Sequence, residues 1–423
     1  MIDMVGIGPF ITMSGIVGLM QGPMSILAWL LGALLAYMDG FVWAELGARY
    51  PEAGGSYVFL QKLYKGKIGK LMAFLFIWQT TIQAPLVIAS GSIGFSKYLK
   101  FLVPLNTFGE KAVSGGLVLL LTALLYRGIQ SIGRISVLLW AITGGTILWI
   151  IVAGIPYAAI PRGLDFSMDN VSFNTLFFVA LGQASLKAVY SYLGYYNVCH
   201  LGAEIRDPAK NIPRSIFISI TGIAILYLCM QTTIVGVLPW RQVAASEFVV
   251  SEYFEHIYDH AAGQLATVLV LCVALASLFA VMLGYSRIPY AAALNGDFFP
   301  AFAAVHPKHK FPHVSLLVLG GVAFVFSLLF KMAEVISAII TMRILIQFIS
   351  QAAGIIIWRT RSGKGHRPFS MPLFPIPAVL SIIIWLFIFF SSHWYYIAFA
   401  GGIIISGILL FGLKEKLVQK SAA

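Results

Sequence analysis

Two glycines and a proline interrupt an apolar segment at the start of the chain. The segment reads VGIGPFITMSG over residues 5–15 and holds Gly6, Gly8 and Pro9 within four positions. Inside a helix, glycine costs about 1 kcal/mol and proline about 3 kcal/mol relative to alanine, so these residues predict a break. A helix that starts near Pro9 presents free backbone N–H groups, which attract an anion such as a carboxylate.

A second interruption lies in the sixth apolar segment, where residues 187–198 read KAVYSYLGYYNV. Irregular backbone within a membrane is tolerated only where it faces protein or a water-filled cavity. Glycine-interrupted spans at matching positions of two halves are therefore the best sequence indication of a transporter binding site. Either segment alone is also consistent with an ordinary kink. Together they predict one break that holds a carboxylate and another whose carbonyl groups hold an ammonium.

Ionisable residues inside apolar spans are the other candidates for chemistry, and there are four: Asp39, Lys187, His200 and Arg343. A charge at the middle of a bilayer costs about 2.5–3.5 kcal/mol on insertion scales, so such residues are functional candidates that usually have a partner. One interpretation is a structural ion pair of Asp39 with Lys187 or Arg343. Arg343 is expected to bond Gln347, one turn away. Lys187, which shares a helix face with Tyr190, is alternatively a group that titrates or meets a substrate carboxylate.

Enzymatic and channel functions find little support in the motifs. The chain has no HExxH, GxSxG or paired-aspartate motif of a membrane-embedded enzyme, and no filter-like repeat of a channel. His306, His309 and His313 lie in a basic loop without acids to complete a metal cage. No metal and no cofactor are therefore predicted, and the three cysteines are interpreted as packing residues.

The elements that must position these residues are membrane helices. Of the 423 residues, 59% are hydrophobic and only 10% charged, and the mean hydropathy is +0.89. Soluble globular chains carry about 25% charged residues, and runs of roughly 20 apolar residues span a bilayer. We predict twelve spans, at residues 4–20, 25–47, 70–96, 112–127, 134–156, 173–199, 214–238, 263–286, 313–330, 333–358, 374–391 and 393–413. The inner connection 51–70 is expected to form an amphipathic helix at the interface, and the outer connection 239–262 a short helix.

The distribution of basic residues indicates the orientation. With a cytoplasmic N-terminus and twelve spans, 20 of the 28 Lys and Arg residues fall on the inner side, six outside and two within spans. This positive-inside pattern predicts a multi-pass protein of the cell inner membrane with both termini in the cytoplasm. The net charge of +12 then reflects topology, so we predict the lipid bilayer as a partner and no nucleic acid. The oligomeric state is not predicted.

Several segments resemble motifs of the amino acid–polyamine–organocation (APC) superfamily, in order along the chain, and particularly its bacterial L-amino-acid-transporter-like permeases. VGIGPFITMSG resembles the GSG-type motif of that superfamily's first span. The other matching segments are FVWAELGARYPEAGGSYVFLQKLYKG (41–66), GAEIRDPAKNIPRSI (202–216), SRIPYAAALNGDFFPAFAAVHPKHKFP (286–312) and RPFSMPLFPIP (367–377). The resemblance implies an all-α polytopic membrane protein with the leucine-transporter-type fold. Its single domain would hold two inverted five-helix repeats, 1–156 and 173–358, accessory helices at 374–413, and unwound first and sixth spans.

The resemblance also implies where a substrate binds. Carried over by position, the substrate-binding residues are Gly6, Ile7, Gly8, Tyr190, Ser191, Leu193 and Gly194. The first three would offer backbone to a carboxylate, and the backbone around Tyr190, Ser191 and Leu193 would receive an ammonium. Tyr190 falls where the family has an aromatic gate, and Tyr195 takes the place of the family's usual Trp. The coupling or gating candidates are Lys187, Asp39, Arg343 and Tyr195.

Three departures from the family pattern limit what carries over. Ile7 replaces the family's serine, so only its backbone is available. Only residues 1–5 precede Gly6, where the family has two or three more helical turns. Many bacterial relatives carry a lysine in span five that stands in for a sodium ion, and that register falls on Thr143. The coupling mechanism is therefore not carried over.

The leading interpretation is a secondary active transporter of zwitterionic amino acids that works by alternating access, through proton symport or exchange, and is not an enzyme. The tyrosines near the second break would wall an apolar side-chain pocket. The alternative is a polyamine or other organic cation transporter, which one mid-span acid and at least two mid-span cations disfavour. An acidic amino acid substrate stays open.

Overall fold

The computed structural model describes residues 4, 6–52, 54–127, 132–157, 173–200, 202–309, 311–361 and 368–422, and the regular elements within them are all helical. The α-helices in chain order are α1 (Gly8–Met20), α2 (Ser25–Arg49), α3 (Ser56–Tyr64), α4 (Gly66–Leu99), α5 (Thr107–Tyr126), α6 (Ile132–Gly154), α7 (Thr175–Tyr192), α8 (Pro208–Val237), α9 (Trp240–Ala245), α10 (Val249–Ile257), α11 (His260–Leu294), α12 (His313–Leu329), α13 (Met332–Arg343), α14 (Ser350–Arg361), α15 (Ile376–Ser391) and α16 (Trp394–Ala422). Short 3₁₀ helices cover Asn197–His200, Gly202–Glu204 and Pro300–Ala303.

Seven helical segments of the described residues are long and apolar enough to cross a membrane. They are α2, α4, α5, α8, α11, Met332–Arg361 and Trp394–Lys416. Shorter apolar helical segments are Gly8–Met20, Ala141–Gly154, His313–Leu329 and Ile376–Ser391. A helix overlaps each of the twelve predicted spans, so the chain is helical where the hydropathy indicates. That all twelve cross a membrane, in two inverted repeats, stays a prediction.

The helices that carry the two interruptions pack side by side. α1 lies along α7, and α2 packs against both α7 and α8. α1 is apolar on all sides, and its residues Phe10, Met13, Ile16 and Val17 are buried, as expected for a helix that other helices enclose. Long α4 packs against α11, α12 and α13. The first residues of α1 are therefore surrounded by protein.

The connection 51–70 differs from the surface helix that its sequence predicts. α3 covers only residues 56–64, and its apolar side chains Tyr57, Phe59 and Leu60 are buried. α3 packs against α4 and α14, so other helices and not a lipid surface cover its apolar face. The connection 239–262, which is predicted to be the outer one, forms two short helices, α9 and α10, where one is predicted.

A π-helical turn, Ile344–Ile349, joins α13 to α14 directly after Arg343. The Ser350 hydroxyl donates to the Leu345 carbonyl at 2.8 Å, across the wider turn. Such turns are rare and are found frequently at functional sites. Here the wider turn lies beside one of the four ionisable candidates.

Candidate functional site

The first interruption lies at the predicted glycines. α1 begins at Gly8, and Gly6 and Ile7 before it are not helical. Pro9 occupies the first turn, where a missing N–H costs least. Within the described residues, the backbone N–H groups of Gly6, Ile7 and Gly8 donate no hydrogen bond. The start of α1 therefore offers free donors at the positive end of a helix dipole.

The second interruption ends α7 at Tyr192, seven residues before the end of the predicted sixth span. Leu193 is extended, with ψ of 147°, and Gly194 has a φ of 113°, which L side chains rarely adopt. The chain resumes as a 3₁₀ helix at Asn197. In the part of the chain that the structure describes, the carbonyl groups of Tyr190 and Leu193 accept no hydrogen bond. This end of α7 therefore offers free acceptors.

The two interruptions are in contact. A Cβ atom placed on Gly8 would lie 3.3 Å from Cε1 of Tyr190 and 3.5 Å from Oγ of Ser191. The hydroxyl groups of Thr12 and Ser191 are 3.1 Å apart, so a hydrogen bond also joins α1 to α7. The free donors of α1 and the free acceptors of α7 consequently lie within the reach of one small molecule.

A tyrosine of α8 holds both interruptions. The hydroxyl of Tyr227 lies 3.0 Å from the carbonyl oxygen of Met4 and 3.2 Å from that of Ser191. Tyr227 is fully buried, and the rings of Trp29 and Tyr192 pack against it with centroid distances of 5.3 and 5.5 Å. The sequence reasoning missed this residue, because a tyrosine in an apolar span carries no signal of its own.

A cavity of about 350 Å³ lies between the interruptions. All seven residues predicted for substrate binding line it: Gly6, Ile7, Gly8, Tyr190, Ser191, Leu193 and Gly194. α4 and α11 complete the wall with small and apolar side chains, among them Val87, Ala274, Leu278 and Val281. The cavity thus combines one polar patch of backbone with an apolar wall, the usual composition of a small-molecule site.

Tyr190 lines the cavity, and its hydroxyl lies 2.7 Å from that of Ser90 on α4. Further along α1, the Ser14 hydroxyl donates to the Ser246 carbonyl at 2.8 Å, which fastens the outer connection to this helix. In the opposite direction the lining extends to polar residues near the connection 51–70: Gly54, Tyr57, His200, Glu204 and Arg287.

Two of the four ionisable candidates, His200 and Arg343, line the cavity, and Arg343 is the charged one. Its side chain is 3% exposed, and its Nε donates to Oε1 of Gln347 at 2.8 Å, as the spacing predicts. Its Nη2 donates to the hydroxyl of Tyr196, another cavity residue. The guanidinium also lies over the rings of Tyr196 and Phe348, 5.2 and 5.3 Å from their centroids. Arg343 is thereby fixed in one position at the cavity wall.

The expected ion pair of Asp39 is absent from the described residues. Its Oδ2 accepts hydrogen bonds from Trp43 Nε1 at 2.8 Å and from the Tyr195 hydroxyl at 2.5 Å, and neither Lys187 nor Arg343 comes within ion-pair distance. The interpretation as an ion pair is wrong because Lys187 packs against Gly15 of α1 and the Arg343 guanidinium is held by Gln347 and Tyr196. Asp39 and Tyr195 lie behind the cavity and do not line it. The structure therefore brings two of the four coupling candidates together.

Lys187 lies apart from the cavity, on the intact part of α7. Its side chain is half-buried against Gly15 of α1, where a Cβ would be 3.1 Å from Lys187 Cδ. It makes no hydrogen bond or ion pair with any described residue. Its helix face was predicted correctly, but the proposed pairing with Asp39 is not formed.

A buried ion pair between α2 and α14 was also missed. Glu45 accepts a bond from Arg359 Nε at 2.7 Å, another from Arg359 Nη2, and a third from the backbone N–H of Met371 at 2.8 Å. The motif that contains Glu45 is part of the family resemblance, but its partner lies more than 300 residues away in the chain. Sequence spacing alone gives no indication of such a partner.

Metal ligands are not assembled in the described part of the chain, where no group of three or more His, Cys, Asp or Glu residues is close enough to hold an ion. His306 and His309 are neighbours, with ring centroids 5.0 Å apart, but the Nδ1 atom of His306 accepts backbone N–H bonds from Lys308 and His309. The cavity residues are suited to a small organic solute instead.

Comparison with known proteins identifies the family. The model of the amino acid permease family matches residues 1–410. The chain belongs to the amino acid permease family of the APC superfamily. The resemblance that the motifs indicate is thereby confirmed, and with it a polytopic membrane protein of the amino acid transporter class.

Three relatives show the range of this permease family. The branched-chain amino acid permease BcaP of Bacillus subtilis is 23% identical over 92% of this chain and 85% of its own length. The serine/threonine exchanger SteT of the same organism is 24% identical over 85% of this chain and 80% of its own. Mouse cationic amino acid transporter 4 is 25% identical over 88% of this chain, which spans 60% of that relative's length. All three names describe amino acid transport, and the amino acids that they name differ in their side chains.

Proposed function

We propose that the protein is a secondary active transporter that carries amino acids across the cell membrane by alternating access, and that the substrate binds between the interruptions of α1 and α7. One observation carries this proposal. The residues with free backbone donors, Gly6 to Gly8, and those with free acceptors, Tyr190 and Leu193, line the same cavity. The names of the relatives also support transport and not catalysis.

The polarity of the two helix ends suits a zwitterion. The N-terminal end of α1 carries partial positive charge and favours a carboxylate, and the C-terminal end of α7 carries partial negative charge and favours an ammonium. Each such interaction contributes roughly 0.3–2 kcal/mol, more where the site is partly buried. An α-amino acid has both groups two bonds apart, so one molecule satisfies both ends at once.

The apolar wall favours an uncharged side chain. Val87, Ala274, Leu278 and Val281 face the space beyond the polar backbone, so a branched or linear aliphatic group would be buried there. Burial of such a group stabilises a complex by about 25 cal/mol for each Å² of apolar surface. The named substrates of the relatives differ in side chain, so this preference is inferred from the cavity wall alone.

Charged substrates fit the wall less well. The charged lining residues among those described are Arg287, Arg343 and Glu204, which disfavours a polyamine or other organic cation. An acidic amino acid is the second candidate, because the Arg343 guanidinium lies at the wall. Both classes belong in the substrate panel of the test.

The transport cycle follows from the predicted topology. With twelve spans, inverted repeats 1–156 and 173–358 and both termini in the cytoplasm, the connection 51–70 is on the inner side. The cavity reaches Tyr57, Glu204 and Arg287 near that connection, so it would open towards the cytoplasm. Release of the Tyr190–Ser90 hydrogen bond would then belong to the step that opens the outer side.

Uptake into proteoliposomes tests the proposal. Purified protein is reconstituted with one unlabelled amino acid inside, and entry of the same labelled compound is followed for neutral, acidic and basic amino acids and a polyamine. We expect saturable uptake of a neutral amino acid that internal substrate accelerates at least severalfold. Linear flux without acceleration, for every compound, would contradict a carrier. Protein-free liposomes provide the background.

A further inference from the structure

α2 carries two fully buried carboxylates that differ in their surroundings. Asp39 is 0% exposed and Glu45 is 1% exposed, six residues apart on one helix. Glu45 has a bidentate partner in Arg359 and a third donor in Met371 N–H, so its charge is compensated. Asp39 has no such cation within ion-pair distance in the described residues. The same helix therefore holds one permanently paired acid and one that is not paired.

The surroundings of Asp39 are aromatic. Trp43 and Tyr195 both donate to Oδ2, while Oδ1 is buried without a hydrogen-bond partner. The indole of Trp385 on α15 also faces this carboxylate, and its buried N–H has no acceptor in bonding geometry. Among the described residues, the titratable or charged groups that face Asp39 are Tyr195 and Tyr196, which follow the interruption of α7, and Arg343 of α13, which is held by Gln347 and Tyr196.

This arrangement can hold two protonation states. An ionised carboxylate without a cation costs several kcal/mol to bury, and here two donors to Oδ2 offset part of that cost. A neutral carboxylic acid avoids the cost and can donate to the Tyr195 hydroxyl, because a tyrosine hydroxyl both donates and accepts. Glu45 has no such freedom, since loss of its charge would leave Arg359 buried and unpaired.

Asp39 is connected to the substrate cavity through consecutive tyrosines. Tyr195 bonds the carboxylate, and its neighbour Tyr196 lines the cavity and bonds Arg343. The two rings contact each other with centroids 5.0 Å apart. Both residues directly follow Gly194, whose positive φ forms the interruption. A change in the Asp39–Tyr195 hydrogen bond therefore acts on the segment that would hold the substrate ammonium.

We propose that Asp39 binds the proton that couples amino acid movement to the proton gradient, which makes the protein a proton symporter; this rests on the proposed transport function. An O–H bond forms at a carboxylate oxygen with a proton from water on the outer side, and the same bond breaks when the proton leaves to the inner side. No other covalent bond changes. Because coupling is reciprocal, substrate bound at the interruption also changes the affinity of Asp39 for the proton.

Lys187 is the natural comparison, as a half-buried ionisable group in another predicted span. It lies on intact α7, away from the cavity lining, and no hydrogen bond of a described residue connects it to the interruption. Substitutions of Asp39 and Lys187 are therefore expected to have opposite effects on proton-driven accumulation. Comparing the two separates proton coupling from the general effect of removing an ionisable group from a predicted span.

The experiment uses full-length protein in proteoliposomes and two assays. Exchange of labelled for unlabelled amino acid needs substrate binding but no proton gradient, and accumulation driven by an inward proton gradient needs both. We expect wild type to show both activities, and Asp39→Asn to exchange substrate but lose at least nine-tenths of driven accumulation. Lys187→Ala should retain driven accumulation. Tyr195→Phe should shift the pH at half-maximal accumulation upward by about one unit, because the ionised carboxylate loses one donor.

Each outcome decides the proposal. Driven accumulation in Asp39→Asn, or its loss in Lys187→Ala alone, would overturn the assignment to Asp39. Exchange in wild type without any response to a proton gradient would overturn proton coupling and leave the transport function standing, whereas absence of exchange in wild type would remove the transport function itself. If Asp39→Asn does not fold, an unchanged pH profile in Tyr195→Phe overturns the proposal, and a shifted profile supports it.

Discussion

The two interruptions use glycine for different physical reasons. At the start of α1, the glycines allow close approach: a Cβ on Gly6 would lie 2.5 Å from Oγ of Ser277, and one on Gly8 would touch Tyr190. Neither of these residues has a positive φ. In α7, Gly194 is needed for its backbone conformation, with a φ of 113°. Gly6 and Gly8 are therefore required by the available space, and Gly194 by its backbone torsion angle.

The side chains beside the two interruptions also differ. Ile7 is buried, and its Cδ1 packs near Gly94 of α4, so α1 presents only backbone to the cavity at this point. α7 adds the hydroxyl groups of Tyr190 and Ser191, both hydrogen-bonded to other helices. The comparison suggests a division of roles, in which α1 recognises the carboxylate that all amino acids share and α7 connects binding to movement.

The largest effect is expected for Gly8→Val. The Cβ position is already 3.3 Å from Tyr190, so a branched side chain fills the gap between the two helices and blocks the free donors. We expect substrate affinity to fall by at least about a hundredfold, measured by ligand-induced thermal stabilisation, with folding near normal. Gly116→Val on α5, where a Cβ meets nothing within 4 Å, is the matched control. Preserved transport in Gly8→Val would count against the site.

Tyr227→Phe tests the link between the interruptions. Loss of the hydroxyl leaves the carbonyl groups of Met4 and Ser191 without this donor, and a buried unsatisfied group costs about 1–3 kcal/mol. We expect substrate affinity to fall about tenfold, with exchange still measurable at saturating substrate. Ser215, which is exposed on the same helix, offers a control as Ser215→Ala. Equal affinity in Tyr227→Phe and wild type would show that the shared contact does not position the site.

Gly194→Ala tests whether the second interruption needs glycine for its backbone torsion angle and not for space. Alanine at a positive φ costs roughly 1–2 kcal/mol, so we expect a lower melting temperature and a few-fold loss of affinity, less than for Gly8→Val. Denaturation followed by circular dichroism in detergent measures the first, and thermal stabilisation by substrate the second. A melting temperature equal to that of wild type would mean that the backbone at Gly194 relaxes freely.

The interruptions could be predicted from the sequence, whereas the contacts between distant segments could not. Gly6, Gly8 and Gly194 identify both interruptions, because glycine and proline in an apolar span are costly unless the break is used. Tyr227 could not be predicted, since its partners are two carbonyl groups from distant parts of the chain. The absence of an Asp39–Lys187 pair depends on which faces of α2 and α7 are in contact. Hydropathy does not predict the rotational orientation of one helix relative to another. The burial of α3 is a tertiary effect of the same kind.

The smallest effect is expected far from both interruptions, at Glu247 in the outer connection. Burial raises the pKa of this carboxyl, but Lys97 and Lys100, 3.4 and 3.3 Å away, outweigh burial and hold the pKa below its usual value. A lowered pKa gives stability that is present above the usual pKa of glutamate, about 4.3, and is lost as pH falls through the folded-state pKa. Glu247→Gln should therefore lower the melting temperature slightly at pH 7, by an amount that shrinks towards pH 4. The substrate affinity of this variant should equal that of wild type. A lower affinity would mean that the substrate site includes the connection 239–262.

A structure of the protein with a bound neutral amino acid, determined by cryo-electron microscopy, tests the central claim most directly. The account predicts the carboxylate within hydrogen-bonding distance of the N–H groups of Gly6 to Gly8, and the ammonium beside the carbonyl groups of Tyr190 and Leu193. Density for the amino acid at any other place, or a continuous α-helix through Gly194, would contradict it.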